Sequence, residues 1–357
     1  MKRDEIVISC SSGVTPLGAD IEQTLCAIQA GINNFNEYAG FECTPYDPEW
    51  DPELTLNASV YPLIDSEMPG RERMYSMCVE SIKTIMKKAG LKRSDLEQGG
   101  LFLALPELDE VTTQWQLEEK FLKTVCHHTG LSGFSQLKST CRGKTGFLRL
   151  LHNAKELVER GSLEFCLVGA VDTFIDEQRL QHYDNSWRIR SDRSKDGFTP
   201  GEASVFVLVE KQSRAKARGL DIAAAIRSFR VEKEKNTILH KKKSSGEALS
   251  QAIEQCITES GLTTPMDWVL LDLNGESYSG QEWAISLVRN HQLFSDAMKF
   301  EHPIDCVGEA GAAVGALLCS QTLQAFTDDY HKSENVLILN SSDRGERAAM
   351  VLSRVGA

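Results

Sequence analysis

No window of this 357-residue chain approaches 18 uninterrupted apolar residues, so nothing in it reads as a membrane span. The N-terminus is Met1-Lys2-Arg3-Asp4-Glu5, and the apolar run Ile6 to Ile8 is too short for the core of a signal peptide. A basic excess is also missing: the formal net charge is -12 and the pI near 5.3, which excludes nucleic acid or an anionic membrane as the main partner. The one basic run, Lys241-Lys242-Lys243, reads as a solvated loop. Ten cysteines are scattered without a single C-x-x-C pair, so reduced core thiols fit better than disulfides or zinc, and a cytoplasmic location follows. Cys126-His127-His128 has no partner cluster at ligand spacing, so no metal is expected. Gly143-Lys144-Thr145 is like the tail of a phosphate loop, but Lys138 stands where its first glycine belongs. No cofactor is expected, and no short-period repeat or low-complexity tract is present.

What is present is an ordinary globular composition, 41% hydrophobic and 25% charged, in a chain long enough for about two domains or one two-lobed domain. Strand patterns at 6–9, 101–105, 165–171, 205–210 and 222–231 alternate with helical patterns at 20–30, 71–89 and 147–159. The second half repeats this grammar, with helices over 247–260, 282–290 and 310–326 and strands over 268–273, 336–339 and 348–354. The stretch from Phe41 to Gly70, rich in Pro, Asp and Glu, reads as a loop insert. Two similar strand-helix halves, 1–230 and 231–357, imply a layered α/β fold with buried mixed sheets.

Four segments resemble the beta-ketoacyl synthases of the thiolase superfamily. Ser194-Lys195-Asp196-Gly197-Phe198-Thr199-Pro200-Gly201-Glu202-Ala203 and its apolar strand are similar to that family's "DGF-x-x-GE-A" loop. Val14-Thr15-Pro16-Leu17-Gly18 resembles its opening, Gly308-Glu309-Ala310-Gly311-Ala312-Ala313 its second glycine-alanine turn, and Asn340 to Arg354 its closing hairpin. The segments 41–70 and 91–130 have no counterpart. The resemblance implies a thiolase-type five-layer α/β/α/β/α fold built from two similar halves, and a homodimer.

Its catalytic positions are another matter. In a working ketosynthase a cysteine at the start of a buried helix attacks an acyl thioester, and two histidines, each from a turn after a core strand, assist decarboxylation. The available thiol is Cys141, with Arg142 and Lys144 beside it to favour thiolate. Family spacing from Gly161 falls on Lys144, spacing from Gly133-Phe134-Ser135 falls on Arg142, and Cys141 is reached only with a small insertion. Asn274 stands at the first histidine position; it can donate a hydrogen bond but cannot shuttle a proton. Asp305 is matched to the second, with His302 as a conceivable substitute. The gate loop becomes Ser342-Asp343-Arg344-Gly345-Glu346, which puts charge where an acyl chain would run. Lys144, Phe198, Asn274, Asp305 and Arg344 are therefore expected to converge in the former active-site cleft, with Lys144 or Arg344 paired to Asp305.

Two functions are open on this reading. One is a degenerate ketosynthase-like scaffold that binds an acyl-carrier protein or another protein partner. It is similar to accessory thiolase-like proteins that accompany bacterial secretion effectors, for which an adaptor role has been proposed. The other is a condensing acyltransferase that uses Cys141, with Asn274 and His302 or Asp305 in altered roles.

Overall fold

In the computed structural model, residues 4–44, 54–220 and 223–355 are described. The first half runs β1 (Ile6–Val14), α1 (Ile21–Gln29), β2 (Asn36–Cys43), β3 (Leu54–Ala58), α2 (Gly70–Lys88), β4 (Gly99–Ala104), α3 (Leu122–Thr129) and β5 (Gln136–Thr140). It continues through α4 (Lys144–Glu159), β6 (Phe165–Thr173), α5 (Glu177–Asn185), β7 (Glu202–Lys211) and α6 (Gln212–Ala217). The second comprises β8 (Ala223–Lys233), α7 (Glu247–Ser260), β9 (Met266–Leu271), α8 (Ser277–Arg289) and β10 (Phe294–Glu301). It closes with α9 (Ile304–Val307), α10 (Val314–Asp328), β11 (Asn335–Ser341) and β12 (Glu346–Val355).

Ten strands hydrogen-bond in the order β10-β9-β11-β12-β8-β1-β7-β6-β4-β5. Among the described residues β1 and β8 meet only through Val7 with Ala225 and Ile8 with Ala224, so the ribbon divides there into two five-stranded mixed sheets. The sheets match strand for strand. In each, the three outermost strands are parallel (β5-β4-β6 and β10-β9-β11) and the two innermost antiparallel (β7-β1 and β12-β8).

Strand alternation decides which face meets which helix. On β4, Leu101 and Leu103 point outward to Met74, Met77 and Ile82 of α2 and Val125 of α3, while Phe102 and Ala104 point inward. Inside, α4 (Phe147, Leu148, Leu151) and α10 (Leu317, Leu318, Phe326) lie between the two sheets and pack on both. They touch Val168 and Val207 on one side and Leu270, Ile338 and Met350 on the other. On the far side, α7 and α8 cover Val269, Leu337 and Val351. The result is the expected five-layer α/β/α/β/α stack. The small residues of α10 follow from this position: a helix pressed between two sheets is buried on nearly every side, and each large side chain it buries contributes about 1.5–3 kcal/mol.

Three features depart from the sequence reading. β2 and β3 pair antiparallel as a separate two-stranded sheet, so part of the segment read as loop is strand. The outermost strands β5 and β10 were invisible to periodicity because polar residues interrupt them. The small-residue helix begins at Val314 rather than Ala310. Gly308 (φ 77°) and Gly311 (φ 49°) instead form a tight turn that brings the chain against the start of α4.

Candidate functional site

The buried helix α4 begins directly after β5, and its first turn is where a ketosynthase-like fold would present a nucleophile. The residue preceding the helix is Gly143, at φ 54° and ψ −138°. A Cβ there would lie 2.9 Å from Cβ of Glu107, so the close approach as well as the dihedral demands glycine. Lys144 follows. Its Nζ sits 2.6 Å from Glu309 Oε2 and 3.5 Å from the Asp272 carbonyl oxygen. Burial alone would lower this ammonium's pKa and the helix N-terminus disfavours a cation, but the carboxylates of Glu309 and Asp272 prevail and hold it above its ordinary value.

Glu309 links this lysine to a longer chain of charges. Its Oε1 accepts from Gly311 N (2.9 Å), and its Oε2 accepts from Asn274 Nδ2 (2.8 Å). Asn274 Nδ2 also donates to Glu276 (2.9 Å), which takes two hydrogen bonds from Arg188 (2.6 and 2.8 Å). The Arg188 guanidinium then reaches Asp343 at 2.5 Å. Glu107 fixes the turn that carries Asp343, accepting from the Ser342 hydroxyl (2.9 Å) and from the amides of Asp343 (3.0 Å) and Arg344 (3.2 Å). Burial, aided by the negative charge of Asp343, pushes the Glu107 carboxyl up to about 7 against these donors. Burial likewise raises Asp272 to about 6, against Lys144. Beside the network, Arg179 pairs with Asp172 at 2.5 Å, and Asp172 accepts from Ala312 N at 2.8 Å. What remains open between these groups, with Phe198 in its wall, is about 30 Å³, room for roughly one water.

The residues expected in this cleft divide. Lys144 and Asn274 meet through Glu309, and Phe198 lines the cavity, its ring packed edge-on against Phe174 and Tyr183. Asp305 does not join them: its side chain is 65% exposed and pairs with Nδ1 of His302 at 3.0 Å, outside the cleft. That hydrogen bond raises the His302 pKa, and no contact ties this pair to Lys144. The expected ion pairing through Asp305 is corrected accordingly. The second turn delivers Glu309, four residues on, because the positive-φ glycines at 308 and 311 point that residue inward. Arg344 is exposed and caps the rim, donating to the Leu108 carbonyl at 2.5 Å.

Cys141 lies between β5 and α4, half-buried against the outer apolar cluster and outside the cavity lining. Burial, with smaller contributions from Glu118 and Asp172, pushes its thiol up to about 12. The expected thiolate support is absent, since Arg142 pairs with Glu346 and Lys144 with Glu309. Sequence reasoning missed Glu107, Arg188, Glu276 and Glu309. The last carried a signal: a carboxylate flanked by glycines and alanines ahead of an apolar helix is a charge headed for burial. Among the described residues no group of three or more His, Cys, Asp and Glu side chains could hold a metal ion, and no helix is long and apolar enough to cross a membrane.

The architecture is that of a ketosynthase-like, thiolase-type fold. The solved structures it is similar to bear this out across almost its entire length. They include the oxazolomycin ketosynthase domain OzmH KS7 of Streptomyces albus JA3453 (17% identity, TM-score 0.76, 98% of this chain and 75% of that one). The AntDE:AntF type II polyketide synthase complex, an acyl-carrier protein with its ketosynthase bound to the hexaketide, matches with 14% identity and TM-score 0.78 over 99% of both chains. The ishigamide ketosynthase/chain length factor matches with 13% identity and TM-score 0.78 over 98% of this chain and 99% of that one. At these identities the likeness is one of fold. No family model and no curated protein matches the sequence.

Proposed function

We propose that this chain is a catalytically degenerate ketosynthase-like protein that serves as a binding or scaffold component, in which an ion network has replaced the machinery of condensation. The observation that carries this reading is the Lys144–Glu309–Asn274 cluster at the start of α4, where acyl transfer would need a nucleophile and a base. A lysine held charged by two carboxylates is no nucleophile, and an asparagine shuttles no proton. An acyl chain would also find about 30 Å³ in place of a tunnel.

A homodimer fits the edge of the first sheet. β5 is the last strand in the order and pairs with β4 alone among the described strands, with Leu137 37% exposed upon it, so a second copy can extend the sheet there. A monomer by light scattering at micromolar concentration ends that part of the proposal. The role as a docking component for a protein partner, an acyl-carrier protein or a secretion effector, belongs to the same reading, as does a division into halves, drawn ahead of β8 because 230/231 falls inside that strand.

The deciding experiment is intact-mass spectrometry after incubation with acetyl-CoA and with an acylated carrier protein. No adduct is expected. A stoichiometric adduct lost in Cys141→Ala would instead establish a condensing acyltransferase working through Cys141.

A further inference from the structure

The lysine run that reads in sequence as a solvated loop is one wall of a groove. A short turn, Ile238–His240, precedes it, with Leu239 56% exposed. Lys241 adopts φ 52° and all three lysines are exposed. The segment is pinned at both ends. Tyr278 donates its hydroxyl to the Asn236 carbonyl (2.5 Å), while Ser244 donates to Glu282 (2.5 Å) and Ser245 to Glu234 (3.1 Å). The facing wall is Trp187, 47% exposed, with its ring over the Arg193 guanidinium at 4.1 Å. Trp187 too is left-handed, at φ 61°, an uncommon and costly conformation for an aromatic residue. So two of the four non-glycine residues of positive φ among the described residues shape the two walls of one groove.

The groove encloses about 520 Å³, well within the range of binding sites, and its floor is closed by Tyr183 and the Arg188–Glu276 pair. Among the described residues no ion pair is made by Lys241, Lys242 or Lys243, on a chain whose net charge is -12. Among the described residues lining the groove the one exposed acid is Asp196, whose Oδ1 accepts from the Ser277 amide at 2.7 Å.

We propose that this groove docks an acidic, unmodified segment of a partner protein, with an aromatic or aliphatic side chain of that segment seated between Trp187 and Leu239. The proposal rests on the scaffold reading and names the chemistry of its partner. Three lysines in succession on a non-helical segment spread their charge over about 7–10 Å of chain, matching carboxylates strung along a peptide better than a single phosphate. Arg188, the group with the geometry to grip a phosphate, is already bound to Glu276 and Asp343. The apolar walls supply what charge alone lacks, since an aromatic anchor in a pocket dominates the energy of most interfaces.

The test is fluorescence anisotropy with the full chain and a labelled heptapeptide of six glutamates around a central phenylalanine. Saturable binding is expected, weakened about tenfold or more in the triple variant Lys241→Glu, Lys242→Glu, Lys243→Glu and falling steeply with salt. Leu239→Ser, or glycine in place of the peptide's phenylalanine, is expected to weaken it about fivefold. Lys242→Glu alone serves should the triple variant melt early, and is expected to weaken binding about threefold. Unchanged binding by the lysine variants overturns the proposal. So does full displacement by inorganic pyrophosphate with indifference to the phenylalanine, which marks a small-anion site. A peptide that fails to bind, together with no acyl adduct, removes the docking groove and leaves the degenerate reading standing. A Cys141 adduct alongside lysine-dependent peptide binding does the reverse.

Discussion

At the scale of residues, the cleft is a set of buried charges whose value lies in being paired. Glu309 has a side chain 2% exposed and satisfies Lys144, Asn274 and Gly311 at once. Removing it strands an ammonium inside the protein, which typically costs about 3–5 kcal/mol. Glu309→Ala is therefore expected to lower the urea midpoint sharply. Asp305→Ala, at a 65% exposed position, is expected to stay within about 0.5 kcal/mol of the parent. An equal loss in both would mean that Asp305 does reach the cleft.

Glu107 gives the same network a pH dependence. Its carboxyl is raised to about 7, whereas an unfolded glutamate titrates near 4.3. Between those values the native state holds a proton that the unfolded state has released, so stability falls as pH rises through that window. Glu107→Gln removes this titration. Its melting temperature is expected to fall less than the parent's between pH 5.5 and 8, and parallel curves for the two proteins would show that burial does not govern this carboxyl.

At the scale of elements, the start of α4 depends on one glycine. Gly143 combines a positive φ with a Cβ position 2.9 Å from Glu107 Cβ, so alanine meets both a dihedral penalty and a contact. Strain of this kind costs about 1–3 kcal/mol, and Gly143→Ala is expected to lose at least 1 kcal/mol by chemical denaturation. A neutral result would mean that the loop between β5 and α4 relaxes freely.

At the scale of the whole molecule, α4 and α10 are shared by both sheets. Each half thus supplies one of the two central helices and one of their two covers, and neither can bury its inner face alone. Residues 1–220 expressed without the remainder are expected to aggregate or to lack near-UV circular dichroism, and the intact chain to unfold in one calorimetric transition. A soluble, cooperatively folded 1–220 fragment would show that the halves are independent.

Much of this was legible in the chain itself, because burial imposes periodicity. The apolar run 165–171 could only be an interior strand, and the helix over 247–260 has the boundaries that its stripe and Gly261 announce. Gly308 to Ala313 marked a turn into a core helix, and the glycine-rich loop around Phe198 pointed to the fold class. That the turn after β9 carries Asn274 and no histidine was visible residue by residue. The sequence did not disclose β5, β10 or the β2–β3 pair, since edge and surface strands bury too little to leave a pattern. Nor could it choose between Asp305 and Glu309. That choice rests on two backbone dihedrals in the Gly308–Gly311 turn, which aim one carboxylate at Lys144 and leave the other in water. It could not tell that the three lysines face Trp187 across a groove, because residues more than fifty positions apart become neighbours only when two loops fold toward each other. Local pattern fixes which segments are buried, whereas the identity of a charge's partner is decided by tertiary geometry over a few ångströms.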